Sequence, residues 1–391
     1  MPNAAFTIED GILTLVLSGN IDSTNSTAVE AEINQILAAN DFETVVIDAS
    51  NLNYISSAGL RVILRLLKAH PSLSIENAST DIYEVLDMTG FTELMQVSKA
   101  YRVLDVEGCE VIGRGANGRV YRINPDTIVK VYFNPDALPE IQRERELART
   151  AFVLGIPTAI PYDVVRVGNG YGSVFEMLNA KSLATLLSSG EKSVDEVAIM
   201  LAELIALIHG TEVKDGSMPN MRTTALGWVE FLADYLPADK YAKLHALVDA
   251  VPESLGMLHG DYHLKNVMYQ NGECLLIDMD TLCHGHPIFE LGSMYNALRG
   301  FSEINHDNIA GFIGIDFETG TQLWHKFLSL YLHTEDDERI REVERKAQVI
   351  GYTRLLRRSI RRQDTENHEL DIPYYRERLI GLLGEVDSLV F

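Results

Sequence analysis

Three polar side chains in one short stretch offer this chain its clearest chemistry. Residues 257–280 read MLHGDYHLKNVMYQNGECLLIDMD and bring Asp261, Asn266 and Asp278 close together in sequence. One carboxylate of such a set can orient or deprotonate an attacking hydroxyl, while the amide and the other carboxylate hold Mg²⁺ on the phosphates of ATP. Asp261 and Asn266 stand at the D-x-x-x-x-N spacing used for phosphoryl transfer. A polar β-hairpin with surface carboxylates is the plainer reading that a short motif always leaves open.

The flanking residues must position these groups. Apolar runs at 267–269 and 274–277 enclose a Gln270-Asn271-Gly272 turn, which predicts a loop, a strand, a tight turn and a second strand. Upstream, residues 109–133 (CEVIGRGANGRVYRINPDTIVKVYF) carry Gly113, Gly115, Gly118 and Val120 as G-x-G-x-x-G-x-V. A dinucleotide-binding glycine run opens a helix, whereas this one runs into β-like Val120–Ile123, a turn and a second strand at 127–133. Gly118 is followed by Arg119 and Val120 rather than Lys and Ser/Thr, which excludes a Walker loop. The pattern is the hairpin flap that covers ATP phosphates in kinases. A lone strand lysine is usually solvated; after this hairpin, Lys130 stands where a kinase places the lysine that holds the α/β-phosphates.

The charged segment 139–154 predicts a helix that offers a glutamate to Lys130: Glu146 is the first choice and Glu144 its rival. Strands at 162–167 and 171–177 surround an Asn169-Gly170 turn. The second runs into Glu176 and Leu178, where a kinase hinge offers main-chain groups to adenine. A helix over 193–209 has a Ser193/Glu196 capping box and Gly210 at its end, and His209 in it reads as a buried structural histidine. Residues 223–249 are helical with a break at Pro237, and Trp228, Phe231, Leu232 and Tyr235 are expected to anchor a core.

Composition narrows the field. The chain has 391 residues, 46% of them hydrophobic, and a net charge of −23. That charge argues against nucleic acid and anionic membranes as partners. The first apolar run, 12–17, is too short to span a bilayer. An odd number of cysteines, Cys109, Cys274 and Cys283, without motif spacing, suggests a reduced, cytoplasmic compartment.

The first hundred residues alternate strands (11–18, 44–48, 72–76) with helices (22–40, 56–70, 81–89), implying a small α/β domain with its sheet covered mainly on one side. Gly19, Asp22, Asp48, Ala49, Ser50 and above all residues 55–61, ISSAGLR, resemble the STAS domain of anti-sigma-factor antagonists. The resemblance implies that Ser57 occupies the regulatory phosphorylation position, and that the surface around it meets a protein partner. A helix N-terminus suits a phosphate; a plain helix cap by Ser56 or Ser57 is the alternative.

The second part resembles the aminoglycoside phosphotransferase and choline-kinase-like branch of the protein-kinase fold. The residues that carry this are His259-Gly260-Asp261, His263, Asn266, Ile277-Asp278, Asp280, His286-Pro287 and Glu290-Leu291, together with the flap. The resemblance implies Asp261 as catalytic base, Asn266 and Asp278 as Mg²⁺ ligands, and His263 near the γ-phosphate with Lys265 as a substitute charge. The expected architecture is therefore an α/β STAS domain at 1–100 and an α+β two-lobed kinase-like fold. Its antiparallel N-lobe sheet would occupy 101–180 and its mostly helical C-lobe 181–391.

Arg354, Arg357, Arg358, Arg361 and Arg362 form a stripe on one helix face. It either pairs with acidic helices such as 335–344 or docks something anionic, the STAS domain or a substrate. Asp215, Asp234 and Asp239 are scattered candidates for the acidic acceptor site of the branch. The expected activity is ATP- and Mg-dependent transfer to an alcohol group of a small molecule or of a protein serine, Ser57 included. A nucleotide-binding pseudokinase acting as a partner-switching module is the rival.

Overall fold

A computed structural model describes residues 4–115, 117–214, 216–362 and 370–391. The chain divides into two units, 1–104 and 105–391.

The first unit is a five-stranded sheet ordered Ala4–Glu9, Ile12–Ile21, Thr44–Ile55, Ser74–Ala78, Val97–Lys99. The first pair is antiparallel and the remaining pairs are parallel, as expected where helices cross between strands. Leu13, Leu15 and Leu17 alternate inward and pack with Val29, Ile33, Ile63 and Ile82 of the helices. The edge strands Ala4–Glu9 and Val97–Lys99 were not expected. The first buries a single residue of its six and the last has three residues, so neither carries a full period-2 pattern. Helix Ser57–Ala69 starts behind Ser56, whose hydroxyl accepts from the Ala58 N–H at 3.2 Å. Ser56 is thus the cap, and Ser57 is the exposed first residue of the helix.

In the second unit five antiparallel strands run in the order Pro161–Val167, Gly170–Glu176, Thr127–Tyr132, Gly118–Asn124, Glu110–Arg114. Helix Leu138–Val153 packs on this sheet through Ile141, Glu144, Ala148 and Ala151. The rest is mostly helical. Two short sheets carry the loops of interest: Lys181–Ser182 with Val267–Gln270 and Glu273–Leu276, and Met257–Leu258 with Cys283–His284. Helix Val194–His209 has the expected capping box. The 223–249 region is two helices, Met221–Phe231 and Ala238–Asp249. Of its expected core anchors Leu232 is fully buried, but Phe231 and Tyr235 are 38% and 39% exposed and Trp228 is half-buried.

One helix crossing matters for the site. Helix Ile288–Leu298 lies against the long helix Asp337–Arg362. A methyl at Gly292 would come within 2.7 Å of Ile350 Cβ, and one at Gly351 within 2.7 Å of Asn296 Oδ1. The Asn296 amide donates to the Gly351 carbonyl at 2.9 Å. This contact sets the height at which Arg354, one turn further on, meets the loop at 259–262.

Cys109, Cys274 and Cys283 are free thiols. Among the described residues no helix is long and apolar enough to cross a membrane.

Candidate active site

The flap strands place Lys130 opposite Val120 in the ladder, and Val120 pairs with Gly113 on its other side. A Cβ at Gly118 would sit 2.3 Å from the Val131 carbonyl oxygen, so only glycine lets the two flap strands pair there. Gly115 faces open space, leaving room for a ligand to approach the backbone.

Lys130 Nζ meets Glu144 Oε1 at 3.0 Å and Asp278 Oδ1 at 2.7 Å. The expectation of Glu146 as its partner is thereby corrected. Glu144 is buried on the face of helix Leu138–Val153 that packs on the sheet, whereas Glu146, two residues on, points to solvent. The Tyr132 hydroxyl also donates to Glu144, a contact the sequence gave no reason to expect. Burial pulls the Lys130 pKa down, but Glu144, Asp278 and Tyr132 outweigh it, so the ammonium stays charged.

The loop at 259–262 is held by a buried carboxylate. Glu290 accepts from the backbone N–H groups of His259 at 2.5 Å, Gly260 at 3.1 Å and Tyr262 at 3.4 Å. Burial pushes its pKa up to about 7 against the pull of those donors. Gly260 has φ +82°, and a Cβ there would lie 2.4 Å from the Thr281 carbonyl oxygen. His259, fully buried, spans the two loops: its Nε2 meets the Ile277 carbonyl at 3.2 Å and its Nδ1 accepts from the Asp261 N–H at 3.4 Å. Burial lowers its pKa, so it serves as a neutral strut.

Asp261 emerges beside His263 Nε2 at 3.4 Å and Arg354 Nη2 at 3.7 Å. Burial would raise its pKa, but His263, Arg354 and His259 hold the carboxyl at about 2. His263 packs edge-on against Phe312, with ring centroids 5.1 Å apart. Lys265 is instead exposed, its ammonium over the Phe312 ring. Arg354 also donates to the Gly260 carbonyl at 3.0 Å and the Ser293 hydroxyl at 2.5 Å. The arginine stripe therefore meets the loop at its first member. The nearby glutamates are engaged elsewhere, Glu344 with Arg299 and Glu342 with Arg339 and Lys346.

Asn266 is buried and donates its amide N–H to the Asp261 carbonyl at 3.0 Å, and its own carbonyl accepts from the Ile277 N–H at 3.0 Å. These bonds tie the Asp261 loop to the segment that leads from strand Glu273–Leu276 to Asp278. Asp278 has φ +63°, a conformation aspartate tolerates better than most residues. Asp280 follows, its carboxyl pushed up to about 6 by burial and by Asp278, Glu144 and Asp261. Oxygen donors with excess negative charge suit a hard cation. Among the described residues no three His, Cys, Asp or Glu side chains form a metal cage. A cation here would rest on few protein oxygens and complete its shell from phosphate and water. A cavity of about 440 Å³ opens beside Glu144, Asp280 and Asn117 of the flap. At the expected hinge, the Glu176 N–H donates to Ile160 and the Met177 N–H to Asp126. Leu178 follows, half-buried. Asp234 and Asp239 are exposed, and Asp215 lies outside the described residues.

The antiparallel sheet with its glycine-rich hairpin, the buried lysine–glutamate pair and the helical part bearing the Asp261 loop define a kinase-like fold. The chain belongs to the phosphotransferase enzyme family, whose model matches residues 108–323, and a STAS domain model matches residues 3–105. The putative anti-sigma factor antagonist BtrV of Bordetella bronchiseptica is 33% identical over 95 residues, 23% of this chain and 81% of that protein. Acyl-CoA dehydrogenase family member 11 of Mus musculus is 23% identical over 219 residues, 50% of this chain. The chain spans only 27% of that relative's length. A thermostable mutant of aminoglycoside phosphotransferase APH(4)-Ia, solved in ternary complex with ADP and hygromycin B, shares the fold. Its TM-score is 0.51 at 13% identity, over 72% of this chain and 94% of that one.

Proposed function

We propose that residues 105–391 are an active phosphotransferase that uses Mg–ATP and an alcohol acceptor. The observation that carries this reading is the convergence on Lys130. A flap strand, the Glu144 helix and the Asp278 loop meet at one charged nitrogen, with ionised Asp261 on the loop bonded to Asn266. The APH(4)-Ia complex with ADP supports nucleotide binding by the same fold. Lys130 would hold the nucleotide phosphates under the flap, and main-chain groups at Glu176 and Leu178 would meet adenine. The carboxylate of Asp278 and the side-chain oxygen of Asn266 would hold Mg²⁺, which when bound neutralises charge on the phosphates. The excess negative charge around Asp280 fits that ion.

Asp261 orients the acceptor hydroxyl and takes its proton, later released to solvent. The acceptor oxygen bonds to the γ-phosphorus as the bond to the β–γ bridging oxygen breaks and ADP leaves. His263, beside Asp261, stabilises charge there. Asp278→Asn and Asp261→Asn should each lower kcat at least 100-fold while thermal unfolding stays close to the parent. Full activity in either variant would sink the assignment.

The acceptor is a small hydroxylated molecule or a protein serine. Exposed Ser57, at the first turn of its helix, supports the second reading, as does the likeness to anti-sigma-factor antagonists. On that reading the STAS surface also meets a protein partner. Intact mass and phosphopeptide mapping after Mg–ATP, with Ser57→Ala and Asp261→Asn controls, separates the two. Phosphate on Ser57 that requires Asp261 identifies the serine; an unmodified chain points to a free acceptor. The pseudokinase alternative predicts ATP binding without turnover in the same assay.

A further inference from the structure

We infer that the acceptor is a small hydroxylated molecule carrying an anionic group, a carboxylate or a phosphate, recognised by Arg357 and Arg354 against an aromatic face; this rests on the phosphotransferase reading above.

The wall begins at Asp261. Arg354, 3.7 Å from that carboxylate, lies over the Trp228 ring at 5.7 Å. One turn along, Arg357 lies over the Phe231 ring, also at 5.7 Å. Both pairs are spaced i, i+3 on their own helices, so two arginines and two aromatic rings stack in register. Phe231 in turn stacks on Tyr235, with centroids 5.9 Å apart. Trp228 is half-buried against the core, while Phe231 and Tyr235 are exposed, and exposed rings of this kind are suited to hold the apolar body of a ligand.

Arg354 is paired with Asp261, but Arg357 has no acidic partner among the described residues. The charged groups acting on Arg357 are Arg361 and Arg354, which together with burial lower its pKa. Its Nε is buried without a hydrogen-bond partner. Arg376 adds a further cation beside the aromatic row, donating to the Tyr235 carbonyl at 2.6 Å. Support of the catalytic loop explains Arg354, which bonds Gly260 and Ser293. It does not explain Arg357, which has no described bond to that loop. A guanidinium without a hydrogen-bond partner at Nε, one helical turn from the arginine that meets Asp261, fits a carboxylate or phosphate by bidentate bonding.

The test is Mg–ATP turnover on three-carbon and amine alcohols that differ in charge: glycerate and glycerol 3-phosphate, glycerol, and choline and ethanolamine. Parent and Arg357→Glu proteins are compared, with ADP affinity measured alongside as a check of the fold. We expect kcat/KM for an anionic alcohol at least tenfold above the neutral and cationic ones. Arg357→Glu should raise the KM of that alcohol at least tenfold, with ADP affinity within twofold. Preference for a neutral or cationic alcohol, or an unmoved KM in Arg357→Glu, overturns the inference and leaves phosphotransfer standing. No ADP formation with any alcohol overturns the inference; if phosphopeptide mapping after Mg–ATP also finds no Asp261-dependent phosphate on the chain, while ADP still binds, the phosphotransferase reading falls with it.

Discussion

Lys130 Nζ lies 2.7 Å from Asp278 Oδ1, a contact that closes 148 residues of chain. The same ammonium is 3.0 Å from Glu144 Oε1. An ammonium so placed is fixed in direction before any phosphate arrives, and fixed charge is what catalysis by positioning requires.

Glu144 and Glu146 can therefore be told apart by activity. Glu144→Gln leaves a buried lysine with one carboxylate fewer, and breaking such a pair costs about 3 kcal/mol or more. We expect kcat/KM for ATP to fall about 100-fold in Glu144→Gln and to stay within twofold in Glu146→Gln. Steady-state kinetics at saturating acceptor check both, and equal losses would return the role to either residue.

Gly260 is a tight point of the loop at 259–262. Gly260→Ala must move the Thr281 carbonyl and abandon a positive φ, which should displace Asp261 and disturb the three N–H bonds to Glu290. The expected result is loss of turnover of at least 100-fold and a Tm lowered by several degrees, as backbone strain at such a site commonly gives. A Gly260→Ala protein with parental kcat would show that the loop has slack that this geometry denies.

His209 supplies a pH dependence of stability. Its Nδ1 is 2.7 Å from the Tyr331 hydroxyl, and burial, with His286, holds its pKa at about 3. The unfolded chain titrates near 6.5. Between those values the unfolded state binds a proton that the folded state refuses. The contribution is complete above pH 6.5 and is lost as pH falls, by about 2 kcal/mol from pH 7 to pH 5. In urea denaturation His209→Gln should lose that much less than the parent over the same interval. Parallel pH profiles would remove His209 as the cause.

Much of the site follows from local spacing, since the flap, Lys130, the Asp261 loop and Asp278 each lie in a motif only a few residues long. Glu144 did not, because two glutamates two residues apart differ only in which helix face is buried. Ile141, Ala148 and Ala151 share the inward face with Glu144, and their apolar stripe is the signal that points to it. The arginine stripe was visible as a stripe, but its target was not. Arg354 reaches Asp261 through a helix crossing between segments far apart in sequence. Trp228 does pack against the core, but Phe231 and Tyr235 looked like core and are exposed for the same reason: aromatic periodicity does not say whether the facing element offers a leucine or an arginine. Glu290 stood in the motif string, yet its clamp on three backbone N–H groups depends on the fold.

The Gly292–Gly351 crossing leaves no space for a methyl group on either helix. The two helices are held in close contact at that point, which couples the position of Arg354 to that of the loop at 259–262. On the acceptor reading proposed above, a change of preference would come from exchange of side chains at Trp228, Phe231 and Arg357. A larger residue at either glycine would instead press on Ile350 or Asn296 and force the helices apart.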